Sequence, residues 1–90
     1  MGTVAIKFRV MPEGTEVDLT ILQSAIEELV KANGAELHGF EIKPFAFGLK
    51  ALEMAVTMPD KGGGAPDAVE EALANLEGVQ SVEVLEVGLL

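Results

Sequence analysis

The chain has 90 residues, fifteen of them acidic and six basic, for a net charge of −9 at neutral pH. That length suits one domain, here 1–90, and a charge of that sign argues against a phosphate backbone as direct ligand, because nucleic-acid binders need basic patches. Cysteine, tryptophan and tyrosine are absent, which excludes disulfides, iron–sulfur clusters and thiolate zinc sites and leaves a core of Val, Leu, Ile, Ala, Met and Phe.

Residues 4 to 10 alternate, with Val4, Ile6, Phe8 and Val10 on one face and Ala5, Lys7 and Arg9 on the other. This is a half-buried strand, ended by Pro12 and Gly14. Asp18 is a helix N-cap. Leu19, Leu22, Ile26, Leu29 and Val30 follow at helical spacing, with Glu27, Glu28 and Lys31 outside. Asn33-Gly34 stops this helix, predicted over 19–32, and Gly34 suits a left-handed backbone.

Residues 35 to 43 alternate more weakly, Leu37 and Gly39 against His38, Phe40 and Ile42, as an edge strand would. Pro44-Phe45-Ala46-Phe47-Gly48 interrupts the pattern. From Leu49 to Met58 a longer strand sets Leu52, Met54 and Val56 against Ala51, Glu53, Ala55 and Thr57. These two strands form a hairpin around the interruption. Three consecutive glycines, Gly62 to Gly64, make a flexible loop. Pro66 opens a second helix, with Val69, Ala72, Leu73 and Leu76 as its apolar stripe and Gly78 as its close. Asp67, Glu70 and Glu71 sit near its start, where the dipole favours anions. The last strand, Val79 to Val87, has Val82 and Val84 inward and Ser81 and Glu83 outward, and its alternation slips past Glu86.

The order strand, helix, strand, strand, helix, strand is two split β-α-β units. Right-handed crossovers then give a four-stranded antiparallel sheet with both helices on one face, the ferredoxin-like α+β sandwich. The other sheet face is left to solvent or to a partner. No basic segment with a continuous apolar run marks a signal peptide, and no apolar run approaches the ~20 residues of a membrane span. A cytoplasmic, monomeric protein is the expectation.

Chemistry-bearing patterns are few. His38 has no convergent second group for catalysis or metal binding and reads as structural. Glu27-Glu28 and Glu70-Glu71 are sequence neighbours and point about 100° apart on a helix, so they form no acid–base pair. The glycine loop lacks the Gly-Lys-Ser/Thr ending of a phosphate loop, and Pro66 removes a donor there. The open sheet face offers no aromatic platform for RNA; Lys7 and Arg9 on it are expected to pair with Glu53 or Glu83 across the sheet. No catalytic residue, metal ligand or cofactor is therefore expected. What remains is the Phe-rich turn. Phe45 could fold back onto the core or the helix layer, whereas Phe47, beside Gly48, suits an exposed anchor, since aromatics in rigid turns make efficient hot spots.

Val10-Met11-Pro12-Glu13, Val17-Asp18-Leu19, Gly34-Ala35-Glu36-Leu37-His38, the run from Pro44 to Leu52, and Glu77-Gly78-Val79-Gln80-Ser81-Val82-Glu83-Val84 together resemble the archaeal family of translation elongation factor 1-beta. That family is the guanine-nucleotide exchange factor for elongation factor 1-alpha, the GTPase that delivers aminoacyl-tRNA, and its fold is ferredoxin-like. The resemblance spans essentially the whole chain. It implies that Phe47 matches the family aromatic that packs on the nucleotide domain of the GTPase, and it sets Phe45, Gly48 and Lys50 in the same partner-binding segment. Eukaryotic relatives carry a Lys just before the last residue, near the Mg²⁺ and phosphate site; here that position is Leu89, followed by Leu90. The resemblance therefore leaves three routes open: the apolar tail acts sterically, Lys50 or Lys61 substitutes, or Mg²⁺ displacement is indirect. The readings set against it are a small-molecule-sensing domain of the same fold, for which Met11-Pro12-Glu13-Gly14 is a weak match to the glycine loop such domains carry, and a metal carrier, disfavoured without Cys.

Overall fold

The computed structural model describes residues 2–59 and 65–89, with residues 65–67 described by their backbone alone. Six principal elements follow in the order β1 (Thr3–Pro12), α1 (Leu19–Ala32), β2 (Glu36–Pro44), β3 (Lys50–Pro59), α2 (Ala65–Ala74) and β4 (Val79–Leu89). The strands form one antiparallel sheet in the order β2-β3-β1-β4. This is the ferredoxin-like topology, with β1 and β3 central and β2 and β4 at the edges.

Alternation decides which side of the sheet is buried. Val4, Ile6, Phe8 and Val10 of β1 lie directly opposite Met58, Val56, Met54 and Leu52 of β3. All eight are buried, and they share one core with Leu22, Ile26 and Val30 of α1 and Val69 and Leu73 of α2. Both helices therefore cover the same face. Phe8 is fully enclosed; truncating such a ring to Ala costs about 3–5 kcal/mol.

Helix α1 matches its predicted span because both ends carry their own chemistry. Asp18 Oδ1 accepts the Thr20 and Ile21 amides at 2.9 and 3.3 Å, satisfying donors that a helix start leaves unpaired. At the far end Gly34 takes φ 76°, and the Ala35 amide returns to the Val30 carbonyl at 3.1 Å. Helix α2 is shorter than the apolar stripe suggests, ending at Ala74 rather than near Gly78. The Asn75 side chain donates to the Glu71 carbonyl at 3.0 Å, which turns the chain early. Leu76, beyond the helix, still packs against the core.

Both edge strands depart from simple alternation. In β2 the register shifts between Leu37 and Phe40, so Leu37, Phe40 and Ile42 share the core side and His38 takes the open side, contrary to the pairing of His38 with Phe40 and Ile42 read from the sequence. The extra residue is accommodated by Gly39 at φ 103°, a backbone that side chains rarely tolerate. In β4 the slip falls at Leu85, before Glu86 rather than after it: Val84 faces Phe8 and Glu86 faces Lys7. A second shift, between Met11 and Pro12, leaves Gln80 unmatched near the start of β4.

Candidate partner-binding site

The hairpin between β2 and β3 is closed by backbone bonds. The Phe45 amide donates to the Leu49 carbonyl at 2.7 Å, and the Leu49 amide donates to the Ala46 carbonyl at 3.2 Å. Between them Ala46–Gly48 makes one 3-10 turn, in which Phe47 has φ 62° and ψ 29°. That is the left-handed region, where a side chain other than glycine costs about 1–2 kcal/mol. Phe47 is also 96% exposed. A large apolar ring in water on a strained backbone does nothing for the fold, and such strain gathers where a binding surface requires it. The tip rests against the β1–α1 loop: a Cβ on Gly48 would lie 3.7 Å from Thr15 Cγ2. Lys50 and Gly48 border a shallow groove of about 240 Å³ with Pro12, Thr15 and Val17.

Phe45 goes elsewhere. It does fold back, but onto the open side of the sheet, away from the core and the helix layer. Its ring lies 5.8 Å from the Arg9 guanidinium carbon. Arg9 in turn donates through Nε and Nη2 to Glu53 Oε2, both at 3.4 Å, and through Nη1 to Glu83 Oε2 at 3.3 Å. Lys7 Nζ lies 3.6 Å from Glu53 Oε1. The expected pairing of Lys7 and Arg9 with Glu53 and Glu83 is therefore present. Glu53 itself is only 7% exposed, although alternation places it outward. A carboxylate that deep needs partners, and the two cations provide them. Beside it, Lys43 Nζ lies 3.0 Å from Glu41 Oε2. The hydrogen bond and then the charge of Lys43 hold the Glu41 carboxyl below its ordinary range, and Glu41 raises Lys43 in the same two ways.

His38 shares the open side, with Nε2 2.6 Å from Thr57 Oγ1. Among the described residues no group of His, Asp and Glu side chains could hold a metal ion.

The tail is not part of the hairpin site. Leu89 pairs with Val4, whereas the hairpin springs from the Pro44–Lys50 pair. Val4 faces Met58, eight residues from Lys50 along β3. At about 3.3–3.4 Å per residue the two regions stand about 27 Å apart. The structure thus holds Phe45, Phe47, Gly48 and Lys50 on one hairpin, with the Phe45 ring turned onto the open sheet face, and separates them from Leu89. Leu90 lies outside the described residues, as do Lys61 and the glycine loop. Leu89 is strongly exposed, and so are Val87 and, more modestly, Val84. The alternation predicts Val84 inward and, because it slips past Glu86, gives no side for Val87. The register places both on the helix side of the sheet, where two helices leave the outer flank of an edge strand uncovered.

Comparison with known proteins decides the family. Residues 5–90 match the family described as EF-1 guanine nucleotide exchange domain. The chain belongs to that family. The elongation factor 1-beta of Haloarcula marismortui is 48% identical over 90 residues, all of both chains. That of Methanococcoides burtonii is 47% identical over 88 residues, 98% of this chain and 97% of its own. That of Methanothermobacter thermautotrophicus is 44% identical over 87 residues, 97% and 96% respectively. These relatives agree with the resemblance read from the sequence. Solved structures extend the likeness of fold alone. The C-terminal domain of the MgtC protein from Mycobacterium tuberculosis superposes with a TM-score of 0.73 at 19% identity, over 97% of this chain and 89% of that one. The ACT domain from GTP pyrophosphokinase of Chlorobium tepidum gives 0.64 at 14%, over 90% and 96%. For this exchange domain the family match favours nucleotide exchange over the small-molecule-sensing reading. No helix among the described residues is long and apolar enough to cross a membrane.

Proposed function

We propose that this chain, as one exchange domain over 1–90, promotes exchange of GDP for GTP on elongation factor 1-alpha during translation elongation, working in the cytoplasm as a monomer. The observation that carries the reading is the match of residues 5–90 to the exchange-domain family. The exposed, strained Phe47 supports it, because it is a preformed anchor that the fold itself does not use.

Exchange needs no covalent step. The factor must bind the nucleotide-free GTPase more tightly than the GDP-bound form, since only differential affinity shifts an equilibrium. A ~10⁴-fold loss of nucleotide affinity corresponds to about 5.5 kcal/mol of such difference. Phe47, with Phe45, Gly48 and Lys50, engages one surface of the GTPase. Leu89 engages another, because a separation of about 27 Å along β3 exceeds the reach of any side chain. The net charge of −9 favours a GTPase with a basic docking surface and makes association faster at low salt.

Release of a fluorescent GDP analogue from purified elongation factor 1-alpha tests the reading. The expected result is catalytic acceleration by substoichiometric amounts of this protein. A release rate unchanged at any ratio would refute it.

A further inference from the structure

We propose that Arg9 is a positioning residue for the hairpin: by holding the ring of Phe45 against the open sheet face, it fixes the turn that presents Phe47. This inference rests on the exchange-factor reading for its consequence and on the fold alone for its geometry.

Arg9 occupies the middle of β1 with its guanidinium tied on both sides. Glu53 on β3 accepts from Nε and Nη2, and Glu83 on β4 accepts from Nη1. With three of its donors taken by two neighbouring strands, the guanidinium plane has little freedom. Its charge lies over the face of the Phe45 ring, with the guanidinium carbon 5.8 Å from the ring centroid, within the ~6 Å range of a cation–π contact. Arginine suits this double task because its planar fork is held by bonds to two strands while its charge faces the ring; lysine keeps the charge and loses the fork.

Phe45 is the hinge post of the turn. It has an extended backbone, it precedes the 3-10 segment, and no side-chain hydrogen bond caps that segment. Phe47 cannot hold itself in place, since its ring is almost wholly in solvent. The left-handed conformation of Phe47 costs energy and relaxes unless its surroundings fix it. The turn is restrained by its two backbone bonds, by the β1–α1 loop beside Gly48 and by the seat of Phe45 on Arg9. Were the Arg9 network only a cross-strand ion-pair ladder, its loss would loosen the sheet and leave the tip unaffected.

Two single variants and their combination separate these cases. Arg9→Lys retains a cation for the nearly buried Glu53, and Phe45→Leu retains an apolar side chain without a π face. The backbone order parameter of Phe47, read by ¹⁵N relaxation on the protein alone, is expected to fall from the rigid range toward the flexible one in both. In GDP release from elongation factor 1-alpha, the half-saturating concentration of each variant is expected to rise about two- to fivefold, the scale of a partly exposed cation–π contact. For Arg9→Lys the limiting rate is expected to stay at the wild-type value, because a positioning residue changes how much of the turn is ready to dock and not the complex once it has formed. The double variant should be no worse than the worse single one, as a shared contact requires. Order parameters that stay rigid in both singles, or effects that add in the double, overturn the proposal. Should the wild-type protein fail to accelerate release, the exchange reading falls instead, and the order parameters still decide the positioning role.

Discussion

Replacing Phe47 by Asn should move stability and exchange activity in opposite directions. In the folded protein the ring is 96% exposed, so its loss forfeits almost no buried surface. At φ 62° and ψ 29° the backbone costs a Phe about 1–2 kcal/mol, and Asn is among the residues that tolerate this region best. The variant should therefore gain about 0.5–1 kcal/mol, which for a domain of this size raises Tm by roughly 2–8 °C. Binding responds in the other sense. An aromatic side chain buries about 150–250 Å² when it docks, an upper bound of about 4–6 kcal/mol by area, and truncation of a hot spot costs about 2 kcal/mol or more. The half-saturating concentration in GDP release should rise about thirtyfold or more. Thermal unfolding by circular dichroism and a titrated release assay measure the two effects. A variant that melts lower than the parent, or one that keeps parental activity, refutes the idea that the strain at Phe47 is held for binding.

Three further outcomes test the scaffold. Asp18→Ala removes the acceptor of the Thr20 and Ile21 amides and should cost about 0.5–2 kcal/mol in urea unfolding, with Asp18→Asn close to the parent. Gly39→Ala meets no neighbour within 4 Å, so only its φ of 103° resists the methyl group; a loss of about 1–3 kcal/mol in the same assay is expected, and none would mean the bulge is not fixed by this residue. The Glu41–Lys43 pair predicts a pH window. Glu41 is lowered, so its contribution is present above the unfolded carboxyl value and is lost as pH falls through the folded one. Lys43 is raised, so its contribution is present below the unfolded ammonium value and is lost as pH rises through the folded one. Both contributions are complete across neutral pH. An NMR titration should find the Glu41 carboxyl below its ordinary range, and Lys43→Gln should return it.

The central strands and α1 were legible because nothing competes with their periodicity. Val4 to Val10 alternates without interruption, and Asp18 and Gly34 mark the helix by chemistry that needs no tertiary context. The edge strands were legible only in part: the slip in β4 shows as broken alternation, though it falls at Leu85, whereas Gly39 looks like any strand glycine. Glu53 reads as an outward charge, and its burial follows only from what Lys7 and Arg9 place around it. The exposure of Phe47 was visible in its place beside Gly48. The seat of Phe45 was not, since the face a turn folds toward depends on the twist of the hairpin. The distance between Phe47 and Leu89 was not legible either; it follows only from the register, which sets Leu89 against Val4.

That separation bears on how an exchange domain acts on another protein's nucleotide site. If the hairpin docks one surface and the tail another, affinity gained at one end can oppose nucleotide binding at the other only through a body that does not bend. The irregularities in the sheet lie at its edges, at Gly39, Gln80 and Leu85. The register between β1 and β3 runs from Thr3–Pro59 to Val10–Leu52 without a shift, and its inner side is the core itself. β1 also carries both contact residues of the argument, Val4 opposite Leu89 and Arg9 beneath Phe45. A close-packed pair of central strands deforms little under load. Softening it with a small buried cavity, as in Ile6→Val at about 0.5–1.5 kcal/mol, should therefore reduce the limiting rate of GDP release more than a surface change of similar thermodynamic cost such as Asp18→Ala, and equal limiting rates in the two variants would show that the sheet carries no such load.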